Sequence, residues 1–138
     1  MRLRRAHRGQ LLVEVAIVFP LLVFVALGLV QFALYYHVHN VVETGVQEAA
    51  RTAAARDGTF ARGEARGEAV IAAGFKASTP VQVNVSWVGD DQDVVQAQAS
   101  TSYPTFFPAF SFNSGLTRLQ LPINVTARLY KERFRDSR

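Results

Sequence analysis

Apolar residues fill nearly every position from 11 to about 36, broken only by Glu14 and Gln31, and the 28 residues 15–42 contain no Asp, Glu, Lys or Arg. A helix needs roughly 20 such residues to cross a bilayer, so the stretch predicts a transmembrane helix. Beyond it, apolar and small residues recur every three or four positions at Val38, Val42, Gly45 or Val46, Ala49 and Ala53, while Glu43, Gln47, Glu48 and Arg51 take other faces. One helix is therefore expected from about residue 10 to 55, ending before Asp57-Gly58, and spanning about 70 Å. Pro20 has no backbone donor and is expected to kink it. Gly45, Ala49 and Ala53 form a small-residue stripe that lets another helix approach closely.

After residue 58 the period changes. Residues 60–73 predict a short amphipathic helix weakened by Gly63, Gly67 and Gly74. From residue 80 the period is two: Val81, Val83, Val85 and Trp87 alternate with Gln82, Asn84 and Ser86, as in a half-buried strand. Gly89-Asp90-Asp91 predicts a turn. Val95, Ala97, Ala99, Thr101 and Tyr103 mark a second strand, which Pro104 is expected to end for want of a ladder N–H. Residues 104–115 then form a Phe-rich loop, with Phe106, Phe107, Phe110 and Phe112. Leu119, Leu121, Ile123, Val125, Ala127 and Leu129 predict a third strand, whose Pro122 suits an edge position. The expected fold class is α+β: a long N-terminal transmembrane helix, a short helix and a small antiparallel sheet of three to four strands. The expected domains are a basic leader (1–9), a transmembrane helix (10–36), an extracytoplasmic helix extension (37–57) and a small extracytoplasmic α+β domain (58–138).

Charge sharpens this picture. The net charge is +4, but Arg2, Arg4, Arg5 and Arg8 supply all of it, and the remainder carries 11 basic and 11 acidic residues. A cationic leader before an apolar span orients the N-terminus to the cytoplasm, and a neutral body argues against nucleic-acid binding. A cleaved secretory signal is the competing reading, with Ala26-Leu27-Gly28 as its cleavage site. Its apolar region is usually about 7–15 residues, shorter than this one, and such a cut leaves a very apolar mature start at Leu29. There is no Cys, which excludes disulfides, thiolate metal sites and thiol nucleophiles.

Arg8-Gly9-Gln10-Leu11-Leu12-Val13-Glu14 joins a basic leader ending in Gly to an apolar helix with a Glu five residues later. This arrangement resembles the type IV prepilin processing site, which implies cleavage by a membrane aspartyl peptidase between Gly9 and Gln10. The stretch Glu14-Val15-Ala16-Ile17-Val18-Phe19-Pro20 is similar to the Glu-x-Ala-Leu-x-x-Pro segment of TadE-like proteins, minor pilins or pseudopilins of the tight-adherence (Tad/Flp) pilus. Residues 46–54, Val-Gln-Glu-Ala-Ala-Arg-Thr-Ala-Ala, resemble that family's small-residue Gly-Ala-Arg-x-Ala patch, with Ala49 where the Gly would fall. The resemblance covers about residues 8–55.

A carboxylate within hydrocarbon costs on the order of 3 kcal/mol. In pilins the amine of a neighbouring subunit, created by cleavage, offsets that cost. The resemblance thus implies that Glu14 sets helix register during assembly. The alternative is that Glu14 snorkels to the interface.

Other chemistry finds little support. His37 and His39 lie about 200° apart on a helix and cannot share a metal. Asp90, Asp91 and Asp93 lack the Gly and Glu of an EF-hand loop. No hydrolase, P-loop or zinc-protease motif occurs, and no His lies beyond position 39 to act as a base. The Phe-rich loop either caps the sheet, the preferred reading, or forms a subunit contact or adhesive tip.

The expectation is a non-enzymatic, single-pass protein of the cytoplasmic membrane with an extracytoplasmic C-terminal domain. It would act in Tad pilus assembly and polymerise through its N-terminal helix. Its expected partners are the bilayer, a prepilin peptidase, other Tad pilin and pseudopilin subunits and inner-membrane platform proteins, with no cofactor, metal, nucleic acid or small-molecule substrate. The alternatives are a subunit of another type IV-like filament or secretion pseudopilus, and a non-assembling membrane-anchored binding or sensor module.

Overall fold

A computed structural model describes residues 3–76, 81–89, 93–111 and 115–131, with side chains described at 10–76, 81–89, 93–105 and 120–131. The elements are α1 (Leu3–Ala54), α2 (Phe60–Gly74), β1 (Val83–Val88), β2 (Val94–Ser111) and β3 (Gly115–Tyr130). The fold class is α+β. The chain divides into two compact units, Met1–Leu34 and Tyr35–Arg138.

The first unit is helical. Helix α1 starts at Leu3, seven residues before the expected start at 10. The leader holds Leu, Arg and Ala, which favour helix, and no Ser, Thr, Asp or Asn precedes Gln10 to cap a helix there. The Gly9–Gln10 bond therefore lies within helical backbone. The helix continues through Pro20, although the Ala16 carbonyl loses its usual donor four residues on. Leu12, Ile17, Phe19 and Leu29 are each more than half exposed here. An 18-residue window of this helix reaches a mean hydropathy of 2.7 with none of its residues buried, so it is long and apolar enough to cross a membrane.

The second unit packs residues 35–54 of α1 with α2 and the sheet. Val38, Val42, Val46, Ala49, Ala50 and Ala53 of α1 are buried, at the helical spacing seen in the sequence. Ile71 of α2, Val81 before β1, Val83 and Val85 of β1, Val95, Ala97 and Ala99 of β2, and Ile123 of β3 complete the core. Phe60, Phe75, Trp87 and Tyr103 pack around it. Thr59 caps α2, its side chain accepting the Arg62 N–H at 3.3 Å.

The sheet is three-stranded and antiparallel, in the order β1-β2-β3. Pro122 lies on β3, an edge strand, as its chemistry requires. The strand lengths correct the sequence reading. β2 does not stop at Pro104 but continues to Ser111, and β3 begins at Gly115 rather than 119. Residues 104–111 are therefore strand, not loop. Pairing with β1 involves only Val94 to Ala99 of β2, so Pro104 and Pro108 lie where β2 has β3 as the one described strand paired to it. A proline there need not donate to a second strand. Between Pro104 and Pro108 the register shifts, with Thr105, Phe106 and Phe107 opposite Leu119 alone. Phe112 lies outside the described residues, as do Asp90 and Asp91 of the expected turn.

Candidate assembly interface

The exposed helix surface comes first. Leu11, Glu14, Val15, Val18, Phe19 and Leu22 line one shallow groove along α1. Their spacing of three and four places them on one face, an apolar ridge of the kind helices use to pack. Glu14 is exposed within that ridge, and Gln10 lies one turn before it on the same face. The predicted register residue and the predicted new N-terminal residue are thus neighbours along the helix. Pro20 is likewise exposed.

The small-residue stripe sits elsewhere, inside the second unit. Gly45, Ala49 and Ala53 are all buried, and the helix covering them is α2 of the same chain. A Cβ on Gly67 would lie 2.8 Å from the Ala49 Cβ and 2.9 Å from the Gly45 carbonyl oxygen. One on Gly63 would lie 2.7 Å from the Ala49 carbonyl oxygen and 2.9 Å from the Ala53 Cβ. The glycines that weaken α2 as an isolated helix are what allow it to reach α1. Arg66 of α2 and Glu48 of α1 form an ion pair at 3.4 Å beside this contact.

Helix α2 also covers the outer edge of β1. The Val85 N–H donates to the Glu64 carboxylate at 3.0 Å, and the Val83 N–H to the Glu68 carboxylate at 3.3 Å. These N–H groups face away from β2, on the edge where a further strand would add. Sequence reasoning missed both glutamates. Their spacing of four on one face of a helix was visible, but the strand they serve lies more than ten residues away.

At the far end of β1 the Trp87 ring meets Phe60 edge-on at 5.1 Å, and the Lys131 ammonium lies 5.0 Å from the Trp87 ring centre. His39 stacks near Tyr36 and lies 4.0 Å from the Glu43 carboxylate. Among the described residues there is no group of three or more His, Cys, Asp or Glu side chains placed to hold a metal ion.

An exposed apolar helix carrying one carboxylate in its ridge, followed by a small α+β domain packed on the continuation of that helix, fits the organisation of a pilin-like subunit. Residues 9–51 match the family model for TadE-like protein, so the N-terminal segment of this chain is TadE-like, over nearly the stretch that the motifs around Glu14 and Ala49 picked out. No curated protein and no solved structure matches the chain. The matched segment covers the apolar part of α1, which is long and apolar enough to serve as a single-pass membrane anchor.

Proposed function

We propose that the protein is a minor pilin or pseudopilin of a tight-adherence pilus, held in the cytoplasmic membrane by α1 and assembled with other subunits through it. The observation that carries this reading is the TadE-like segment, residues 9–51, coinciding with a helix whose most apolar 18-residue stretch buries no residue within the chain. Such a surface needs lipid before assembly and the helices of other pilins after it.

In this mechanism the prepilin peptidase cuts between Gly9 and Gln10. The cut removes Arg2, Arg4, Arg5 and Arg8, whose charges resist withdrawal from the membrane, and creates an amine at Gln10. Glu14 of one subunit then receives the amine of another, which fixes the register of neighbouring helices. The intersubunit surface is the ridge around Leu11, Val15 and Val18. Gly45, Ala49 and Ala53 support assembly indirectly, by locking α2 and the sheet onto the helix that is drawn into the filament. The leader places the N-terminus in the cytoplasm and the second unit outside.

Complementation of a strain lacking the protein tests this reading. The natural chain is expected to restore surface filaments. Glu14→Ala is expected to accumulate in the membrane at normal levels and to leave filaments absent. Normal filaments without the protein, or full rescue by Glu14→Ala, would overturn it.

A further inference from the structure

The β2–β3 hairpin is much longer than the sheet it belongs to. Past Ala99, the last partner of β1, β2 continues through residues 100–111 with β3 as the one described strand paired to it. At about 3.3 Å per residue that is up to about 40 Å of two-stranded ribbon, and a two-stranded ribbon is marginal in water by itself.

Contacts within the second unit give its direction. Gly74 at the end of α2 abuts Val41, while Gly63 abuts Ala49 and Ala53, so α2 runs back along α1 toward Tyr35. Val85 and Val83 bond to Glu64 and Glu68 in turn, and Trp87 meets Phe60, so β1 runs opposite to α2. β2 is antiparallel to β1 and so heads toward the Tyr35 end. Tyr103 confirms the level, its ring 6.4 Å from that of Phe75, the residue after Gly74. Eight more residues of β2, 104–111, continue from there. The ribbon thus runs toward the Tyr35 end of the second unit, where the chain enters its apolar stretch.

Its composition suits that destination. From Val94 to Ala127 the only Asp, Glu, Lys or Arg is Arg118, and the far strand segments carry Phe106, Phe107, Phe110, Leu116 and Leu119. Aromatic and leucine residues beside a single cation are the composition of segments that lie in a lipid headgroup region.

We propose that the outer part of this hairpin, residues 104–111 with 115–121, seats in the outer headgroup layer of the bilayer that α1 crosses, as a second membrane contact that holds the domain against the surface before assembly. It rests on the membrane placement of α1 proposed above. The acceptor is a lipid surface and not a second copy of the chain, because the segment points to the bilayer end of the domain.

The test uses the full chain in phosphatidylcholine–phosphatidylglycerol vesicles containing brominated lipids. In the natural chain the sole tryptophan, Trp87, lies at the opposite end of β1 and is expected to remain unquenched. Phe107→Trp in a Trp87→Phe background is expected to be quenched by bromines at a depth of about 5–10 Å. Should the loss of Trp87 impair folding, the same substitution with Trp87 retained reports as added, quenchable emission, and Phe106→Trp is a second position. Absence of quenching at both positions overturns the proposal, and disulfide trapping between Phe107→Cys copies in that case assigns the arm to a second subunit. Phe24→Trp, within the span, separates the two readings. If it is quenched and position 107 is not, only the hairpin proposal fails. If neither is quenched, the membrane placement of α1 fails with it.

Discussion

Gly67 of α2 lies so close to Gly45 of α1 that a Cβ on Gly67 would stand 2.9 Å from the Gly45 carbonyl oxygen. Backbone meets backbone at this point, where α2 is packed onto the long helix. Gly67→Val is therefore expected to lower the stability of the second unit by about 2–4 kcal/mol, because neither the Gly45 carbonyl nor Ala49 can yield without moving a helix. Gly28, whose Cβ would meet nothing within 4 Å, is the control, and Gly28→Ala is expected to leave the midpoint unchanged. Thermal unfolding in detergent by circular dichroism measures both.

Ile71 is 2 % exposed and is among the largest fully buried side chains. Ile71→Ala removes the side chain that fills the space beside Gly45 and is expected to cost about 2–5 kcal/mol. Ile71→Val is expected to cost about 0.5–1.5 kcal/mol. Denaturant titration followed by Trp87 fluorescence reads the order, and equal losses for the two variants would contradict the packing described.

Glu64 and Glu68 hold the outer edge of β1. Replacing both by Ala frees the Val83 and Val85 N–H groups at a cost of about 2 kcal/mol, given that hydrogen bonds to charged groups contribute about 1.5–3 kcal/mol each and these are only partly buried. Faster hydrogen exchange at those two amides is the direct readout. Self-association of the purified variant is also expected, since the uncovered edge can pair with another chain.

Lys131 over the Trp87 ring is partly exposed and contributes about 0.5–1 kcal/mol. Lys131→Ala is expected to shift the midpoint by no more than that, while Phe60→Ala, which removes an aromatic body packed on the core, is expected to shift it more. Unfolding of the two variants under one set of conditions decides the order.

Most of the fold was legible because its signals are periodic. The charge-free run of residues 15–42, the three-and-four spacing from Val38 to Ala53 and the alternation from Val83 to Trp87 each identify an element from a single physical requirement. The segment from Pro104 to Ser111 was misread for an equally physical reason. Proline excludes a paired strand interior, but β2 past Ala99 has β3 as the one described strand paired to it, and a local sequence does not reveal where a neighbouring strand stops. Glu64 and Glu68 were overlooked because their partners are backbone groups brought to them by tertiary folding. Gly63 and Gly67 were seen as helix-weakening residues, when their role depends on which helix faces them. Glu14 and the Gly9–Gln10 junction stood out in the sequence through a family pattern, and the helix places Gln10 and Glu14 one turn apart.

The central claim is that α1 stays in the mature protein and presents a new amine close to Glu14. Intact mass and N-terminal peptide analysis of the protein from its native membrane test it most directly. A chain beginning at Gln10 with a free or methylated amine is expected. A chain beginning near Leu29, with the Glu14 ridge removed, or one retaining Met1 and its four arginines, would contradict it.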